Sequence, residues 1–387
     1  MPSRLPFRDS WERSMKICHL TRIVLTISVL GIGGCVADSK PKLAKNPVAI
    51  EARLELNNLS FQQVDKQGKP LWKVRAQKGV YSPDKKRAKV TNLDGDFYQD
   101  GQIVLHVTAK VGEVEQAGEK VILRGDVVTK ETRNQLTLIG QEVEWQPKAD
   151  LLIIRDQVQA NQPKFQVNAN EGRYLSRKQQ LDLSGKIVAQ YQEPRLAMQT
   201  DHLIWLVKDQ RIVGDKPVQI QRYQANQITS QVTANSFSTA LDRKIINLQG
   251  NVQLNATKPL IQVNGESFAW NIDRELVTAN RPITIVDTKE AVTFTANTGE
   301  LDLQKSLATL AGQARGVATR NQAKLEANRL VWEITSQQLI GTGNVVYQQI
   351  DPEIKFTGTR GVGKLQDRSI IVSGGGKQQV RTDFIPK

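Results

Sequence analysis

The side chains able to do acid–base or metal chemistry are few and scattered in this sequence. Its three histidines are His19, His106 and His202. The first precedes a long apolar run, and the other two stand alone in strand-like segments, so none has the neighbours of a metal site or a proton relay. Carboxylates recur without converging. Asp242, Asp273 and Asp367 hold one turn position in different repeats, which is turn chemistry and not a catalytic pair. There is no Gly-x-Ser-x-Gly, and Gly374-Gly375-Gly376 lacks the Lys-Ser/Thr of a phosphate-cradling loop. The pattern argues against an enzyme, with no cofactor or metal expected.

One thiol does carry a chemical expectation. Arg13, Lys16 and Arg22 precede an apolar run from Ile23 to Ala37, which contains Ile32-Gly33-Gly34-Cys35. At 15 residues the run is shorter than the roughly 20 that a membrane-spanning helix needs, and it suits the apolar region of a signal peptide. An aliphatic residue and two small ones before Cys35 resemble a bacterial lipobox. That reading makes residues 1–34 a lipoprotein signal peptide and Cys35 the diacylated first residue, since two acyl chains give stable anchoring. The alternative is an uncleaved anchor with an incidental cysteine. Residues 38–50 are polar and hold Pro41 and Pro47, so 35–50 reads as a tether. The other cysteine is Cys18, so the rest of the chain can form no internal disulfide.

The elements that follow must be strands. From about Glu51 the periodicity is two: in Ile246-Asn247-Leu248-Gln249-Gly250-Asn251-Val252-Gln253-Leu254 the apolar side chains share one face. A small residue returns at Ala76, Ala109, Gly140, Ala169, Thr200, Ala234, Gly265, Ala296, Ala327 and Gly358, at spacings of 29 to 34 and most often 31. A fixed period of this size marks a stacked repeat. Turn formers fall at two matching phases in each repeat, such as Asp242-Arg243-Lys244 and Thr257-Lys258-Pro259, so each unit is strand, turn, strand, turn. The chain therefore reads as all-β, an extended antiparallel meander of about ten such units. The anchor and the residue three further on (Gly265 and Phe268, Ala234 and Phe237) cannot share one face under strict alternation, which predicts a bulge or bend there. Five positions past the anchor, large aromatics at Tyr81, Trp145, Trp205, Trp270 and Trp332 fall in alternate units, which suggests that successive units lie on opposite walls.

The formal net charge of +14 favours anionic partners such as phosphorylated glycolipid or lipid head groups. Nucleic acid is disfavoured, because the cations are spread along the chain with no nucleic-acid motif. Lys85, Lys86, Arg177, Lys178, Arg243, Lys244 and Arg274 recur at one turn edge.

Four segments then carry a family resemblance. Gly68-Lys69-Pro70-Leu71-Trp72-Lys73-Val74-Arg75-Ala76, Gly79-Val80-Tyr81, Phe97-Tyr98-Gln99-Asp100-Gly101 and Val121-Ile122-Leu123-Arg124-Gly125-Asp126-Val127 resemble the LptC family of periplasmic lipopolysaccharide-export proteins. Leu248-Gln249-Gly250-Asn251-Val252 and Gly341-Thr342-Gly343-Asn344-Val345 are similar to the related OstA/LptA repeat. The resemblance implies an open, V-shaped β-jellyroll of two facing sheets, with an LptC-like part over 51–225 and OstA/LptA-like repeats over 226–387. It also implies an inner-membrane-anchored protein on the periplasmic side. Such a protein takes lipopolysaccharide from ABC-transporter permeases and passes it to a downstream LptA-like or outer-membrane LptD-like jellyroll.

Two facing sheets with small anchor residues independently suggest a groove for acyl chains, where burying ten methylenes contributes roughly 8 kcal/mol. The residues expected to line it are Trp72, Val74, Ala76, Phe97, Leu105 and Val107. Terminal strands near 51–64 and 369–384 offer unpaired edges for neighbouring jellyrolls. The competing readings are an envelope scaffold of the same fold and a polysaccharide-active β-solenoid enzyme.

Overall fold

The computed structural model describes residues 54–84, 86–115, 120–320, 322–350, 353–367, 369–374 and, as backbone alone, 381–384. The expected signal peptide, Cys35 and tether lie outside the described residues, as does Lys85. Within Glu51–Lys387, one compact unit, the described residues form 26 strands joined into a single hydrogen-bonded sheet, and every pairing among them is antiparallel. Among the described residues the only helical turn is the 3₁₀ segment Pro147–Ala149, and no helix is long and apolar enough to cross a membrane.

What shapes this sheet is a corner in the middle of each run. In the strand Ile245–Thr257, residues 245–249 pair with 271–267 and residues 252–257 with 265–260. Between them Gly250 (φ 77°) and Asn251 (φ 49°) adopt the left-handed conformation, and the register shifts. The bend expected beside the anchor Gly265 is therefore present. It also resolves the broken alternation: Ile261 and Val263 are buried before the bend, Phe268 and Trp270 after it. The same left-handed pair stands at Gly125-Asp126, Asp156-Gln157, Gly185-Lys186, Gly312-Gln313 and Gly343-Asn344. In several runs the corner interrupts the strand altogether, so that Gln227–Ala234 and Ser236–Ala240 are halves of one run.

The half-strands on either side of the corners pair separately. The first wall contains residues 70–76, 93–99 and 102–109; the second contains 78–81, 87–91 and 111–115. The pattern repeats to the last strands, where Ile354–Lys364 pairs with Arg381–Phe384 on the first wall and with Ser369–Ser373 on the second. Side chains facing inward from both walls form one continuous apolar cluster that runs from Trp72 to Val345.

The large aromatics do not alternate between walls as expected. Tyr81, Trp145, Trp205, Trp270 and Trp332 all lie on the second wall, and so do the intervening Val114, Tyr174, Thr239 and Leu301. A unit of two bent strands returns the chain to the same wall each time, so what alternates is side-chain size at one wall position.

A corner glycine has no room for a side chain. A Cβ on Gly250 would stand 2.8 Å from Asn235 Nδ2, and the left-handed backbone adds about 1–2 kcal/mol for a non-glycine residue. Gly250→Ala is expected to lower stability by at least that amount in urea unfolding. A variant as stable as the parent would mean that the corner is not a fixed feature.

Candidate functional site

The site the fold offers is the slot between the walls. All six expected lining residues face into it from the first wall, on three adjacent strands. Trp72 pairs with Phe97 and Phe97 with Leu105; on the next rung, Val74 and Val107 flank Gly95; Ala76 lies one rung further in. All six are buried. The Trp72 indole donates its Nε1–H to Gln63 Oε1 at 2.9 Å.

The opposite wall supplies tryptophans whose partners the sequence did not reveal. Ring centroids of Phe97 and Trp145 lie 5.1 Å apart, those of Phe165 and Trp205 4.9 Å apart edge-on, and those of Phe294 and Trp332 4.7 Å apart. Each pair joins the first wall to the second just inside the free rims, so the slot is closed along its seam by its own side chains. Aromatic pairs of this kind contribute about 0.5–1.5 kcal/mol beyond burial. The recurring tryptophans were visible in the sequence; their phenylalanine partners, 38 to 48 residues away, follow no fixed offset.

Outside the aromatic pairs, polar contacts clasp the two rims. Arg133 Nη2 donates to the Ser176 carbonyl at 2.9 Å, and Asn134 Nδ2 to Gln179 Oε1 at 3.0 Å. Arg222 Nη2 meets Glu275 Oε1 at 2.9 Å, and Gln337 Nε2 donates to Asp287 Oδ2 at 3.2 Å. Beside these clasps two cavities reach between the walls. One of about 50 Å³, apolar in its lining, lies among Tyr191, Leu196, Met198, Leu241 and Ile272. The other, about 130 Å³, lies among Phe294, Leu325, Leu339, Gly363 and Ile370, with Arg320 and Lys364 in its border. One water molecule needs only roughly 10–15 Å³. Gly363 stands at the repeat position held by Tyr81, Val114, Trp145 or Leu301 elsewhere, and adds no side chain to this cavity.

Four indoles inside the slot are left without a hydrogen-bond acceptor: the Nε1 atoms of Trp145, Trp205, Trp270 and Trp332. Each such buried donor costs about 1–3 kcal/mol.

The outer surface is a different environment. At the second wall's turn edge, Arg177 lies 3.6 Å from Asp100 and from Asp150, and Lys244 Nζ lies 2.8 Å from Asp273, so part of the expected cation row is already paired. Asp94, Asp96 and His106 come within ligand distance of one another. Arg75 binds both carboxylates, however, and His106 bonds to both, so their charge is met by protein groups.

His202 bridges Asp215 (Nδ1 to Oδ1, 2.7 Å) and Asp182 (Nε2 to Oδ1, 3.1 Å). The Asp215 hydrogen bond, opposed by partial burial and assisted by Asp182, raises its pKa above the ordinary value of about 6.5. A raised folded value means that the imidazolium contributes stability fully below pH 6.5 or so, and that this is lost as pH rises through the raised value. Asp215→Asn is expected to move the His202 ring titration, followed by NMR, back toward 6.5. An unmoved midpoint would remove Asp215 as the cause.

The described family "Lipopolysaccharide-assembly, LptC-related" matches residues 22–152 and 150–230, more than half of the chain. Among solved structures, the chain is similar to the crystal structure of LptH, the LptA homologous periplasmic component of the conserved lipopolysaccharide transport device from Pseudomonas aeruginosa. The identity is 12%, the TM-score 0.23, and the match covers 41% of this chain and 95% of that one. No curated protein matches the chain.

Proposed function

The chain belongs to the LptC-related family of lipopolysaccharide-assembly proteins, and from that membership and the slot we propose that it is a non-catalytic conduit for lipopolysaccharide between the two membranes. Acyl chains would lie between the walls, with sugars and phosphates outside the rims. The observation that carries this reading is the single apolar interior, shared by both walls, which runs without a break through the repeats.

Lipid would be received from inner-membrane ABC-transporter permeases at the first strand, Glu55–Val64, which among the described residues pairs on one side alone, with Leu56 in it and Leu54 before it exposed. It would leave at the last strands, where Ile371 is 74% exposed, toward a downstream LptA-like or LptD-like jellyroll. Photo-cross-linkers at the two ends should trap different partners, and trapping of only the opposite ones would reverse the direction. Acylation of Cys35 after cleavage at residue 34 would hold the protein on the inner membrane, facing the periplasm. The mass of the mature N-terminal peptide tests this. The division into an LptC-like part to 225 and OstA/LptA-like repeats from 226 is supported by the family match ending at residue 230.

The direct test is a photo-reactive amino acid at Phe97, Leu105 or Val107, followed by mass spectrometry of the adduct. Covalent lipid A is the expected product. A charge at Phe97 or Leu105 should weaken the yield, and an unchanged yield would remove these residues from the lining. The close contact between the walls favours a second reading, a passive envelope scaffold. Purified protein that neither carries nor takes up lipid A would select the scaffold.

A further inference from the structure

The slot holds a set of donors to which the protein itself offers no acceptor. Trp145, Trp205, Trp270 and Trp332 are at most 2% exposed, and no protein group accepts the Nε1–H of any of them. Trp72 shows that this fold can answer such a donor, through Gln63. The four orphans share one position. Each stands five residues past its anchor, on the second wall, close to where the strand ends in its rim turn. Successive ones are separated by four strand spacings along that wall, or about 19 Å.

A phenylalanine would fill most of the same space without a buried, unanswered N–H, so four unanswered indole donors call for an account beyond packing. Their depth selects the chemistry of a partner. Deeper in the slot, toward the corners, the lining is apolar, as at Ile154, Leu183, Leu248, Phe268 and Leu310. Outward of the indoles, Val207, Ile272 and Ile334 add one more buried apolar side chain each, and then come charged turns and solvent. A ligand with hydrocarbon below this level, anionic groups above it and acceptors at it is an acylated, phosphorylated lipid, whose ester or amide carbonyls join tail to head.

We propose that these four indole N–H groups form a row of hydrogen-bond donors to the acyl carbonyls of lipid lying in the slot. The row rests on the conduit reading above. It adds stations, about 19 Å apart, that hold a lipid at a set depth while its tails remain free to slide. Lipid parts the walls at the three Phe–Trp contacts, and each of the four indoles gains an acceptor.

The test uses the full chain labelled with ¹⁵N at the indoles. The probes are dilauroyl phosphatidic acid and its diether analogue, which has the same head and tails but no carbonyls. Both should bind, the ester about tenfold more tightly. The four buried indole resonances should move downfield with the ester alone, while that of Trp72 stays in place. Trp205→Phe should bring the ester-to-ether ratio toward one, whatever it does to the affinity for both lipids together. Equal affinities with unmoved indole resonances would overturn the donor row and leave the conduit standing. Failure of both lipids to bind would overturn the conduit, and the row with it.

Discussion

Replacing Glu131 by alanine is expected to destabilise the rim by about 3–5 kcal/mol, the range for removing one partner from a buried charged network. The Glu131 side chain is fully buried, and the turn after it is wrapped around its carboxylate. The backbone N–H groups of Arg133 and Asn134 donate to it at 3.0 and 2.7 Å, and the Arg133 Nε and Asn134 Nδ2 groups donate to it as well. The same two side chains then reach across to Ser176 and Gln179 on the other wall. One carboxylate thus organises both a turn and a clasp. Hydrogen exchange at residues 131–136 and 176–179 should rise together in Glu131→Ala, because the two segments open as a unit. Glu131→Gln keeps the shape but sets an amide against the guanidinium, and should fall between. A loss below about 1 kcal/mol, or faster exchange on one wall alone, would show that the clasp is not built on Glu131.

Fastening the seam is expected to have the largest effect on function. In a chain otherwise free of cysteine, Asn134→Cys and Gln179→Cys place two thiols where a 3.0 Å hydrogen bond now joins the walls. A short bis-methanethiosulfonate linker across them should reduce lipid uptake at least tenfold, equivalent to about 1.4 kcal/mol or more, and reductant should restore it. Both walls are made from the same bent strands, so the seam is the one long side through which a tail can pass. Uptake that survives the linker would mean that lipid threads in from the strand ends.

Much of the fold could be read from the chain because it is written in local terms. Alternation at Ile246, Leu248, Val252 and Leu254 dictates strands, and the return of turn formers dictates hairpins. The bend was legible where two apolar residues stood three apart, as at Gly265 and Phe268. The placement of the tryptophans on one wall was not. Sequence shows that Trp145, Trp205, Trp270 and Trp332 alternate with smaller residues, but whether a repeat returns to the same wall depends on the angle at each corner. That angle is set by pairs such as Gly250-Asn251 in the left-handed conformation. The six first-wall residues were recognisable from alternation and resemblance. Their opposite numbers were not, because Phe97 meets Trp145 through the corners of the intervening strands and not through any period. The clasps were hidden for the same reason: Arg222 and Glu275 are 53 positions apart and look like ordinary strand and turn residues.

The backbone of each run pairs only with the runs before and after it in the chain, and this makes the span adjustable. Deleting one 31-residue unit would take out two rungs, about 10 Å of length, and let the flanking strands re-pair with the corners still in phase. Evolution can therefore match such a protein to the distance it must cover by duplicating or losing whole units, as one adds or removes sections of a ladder.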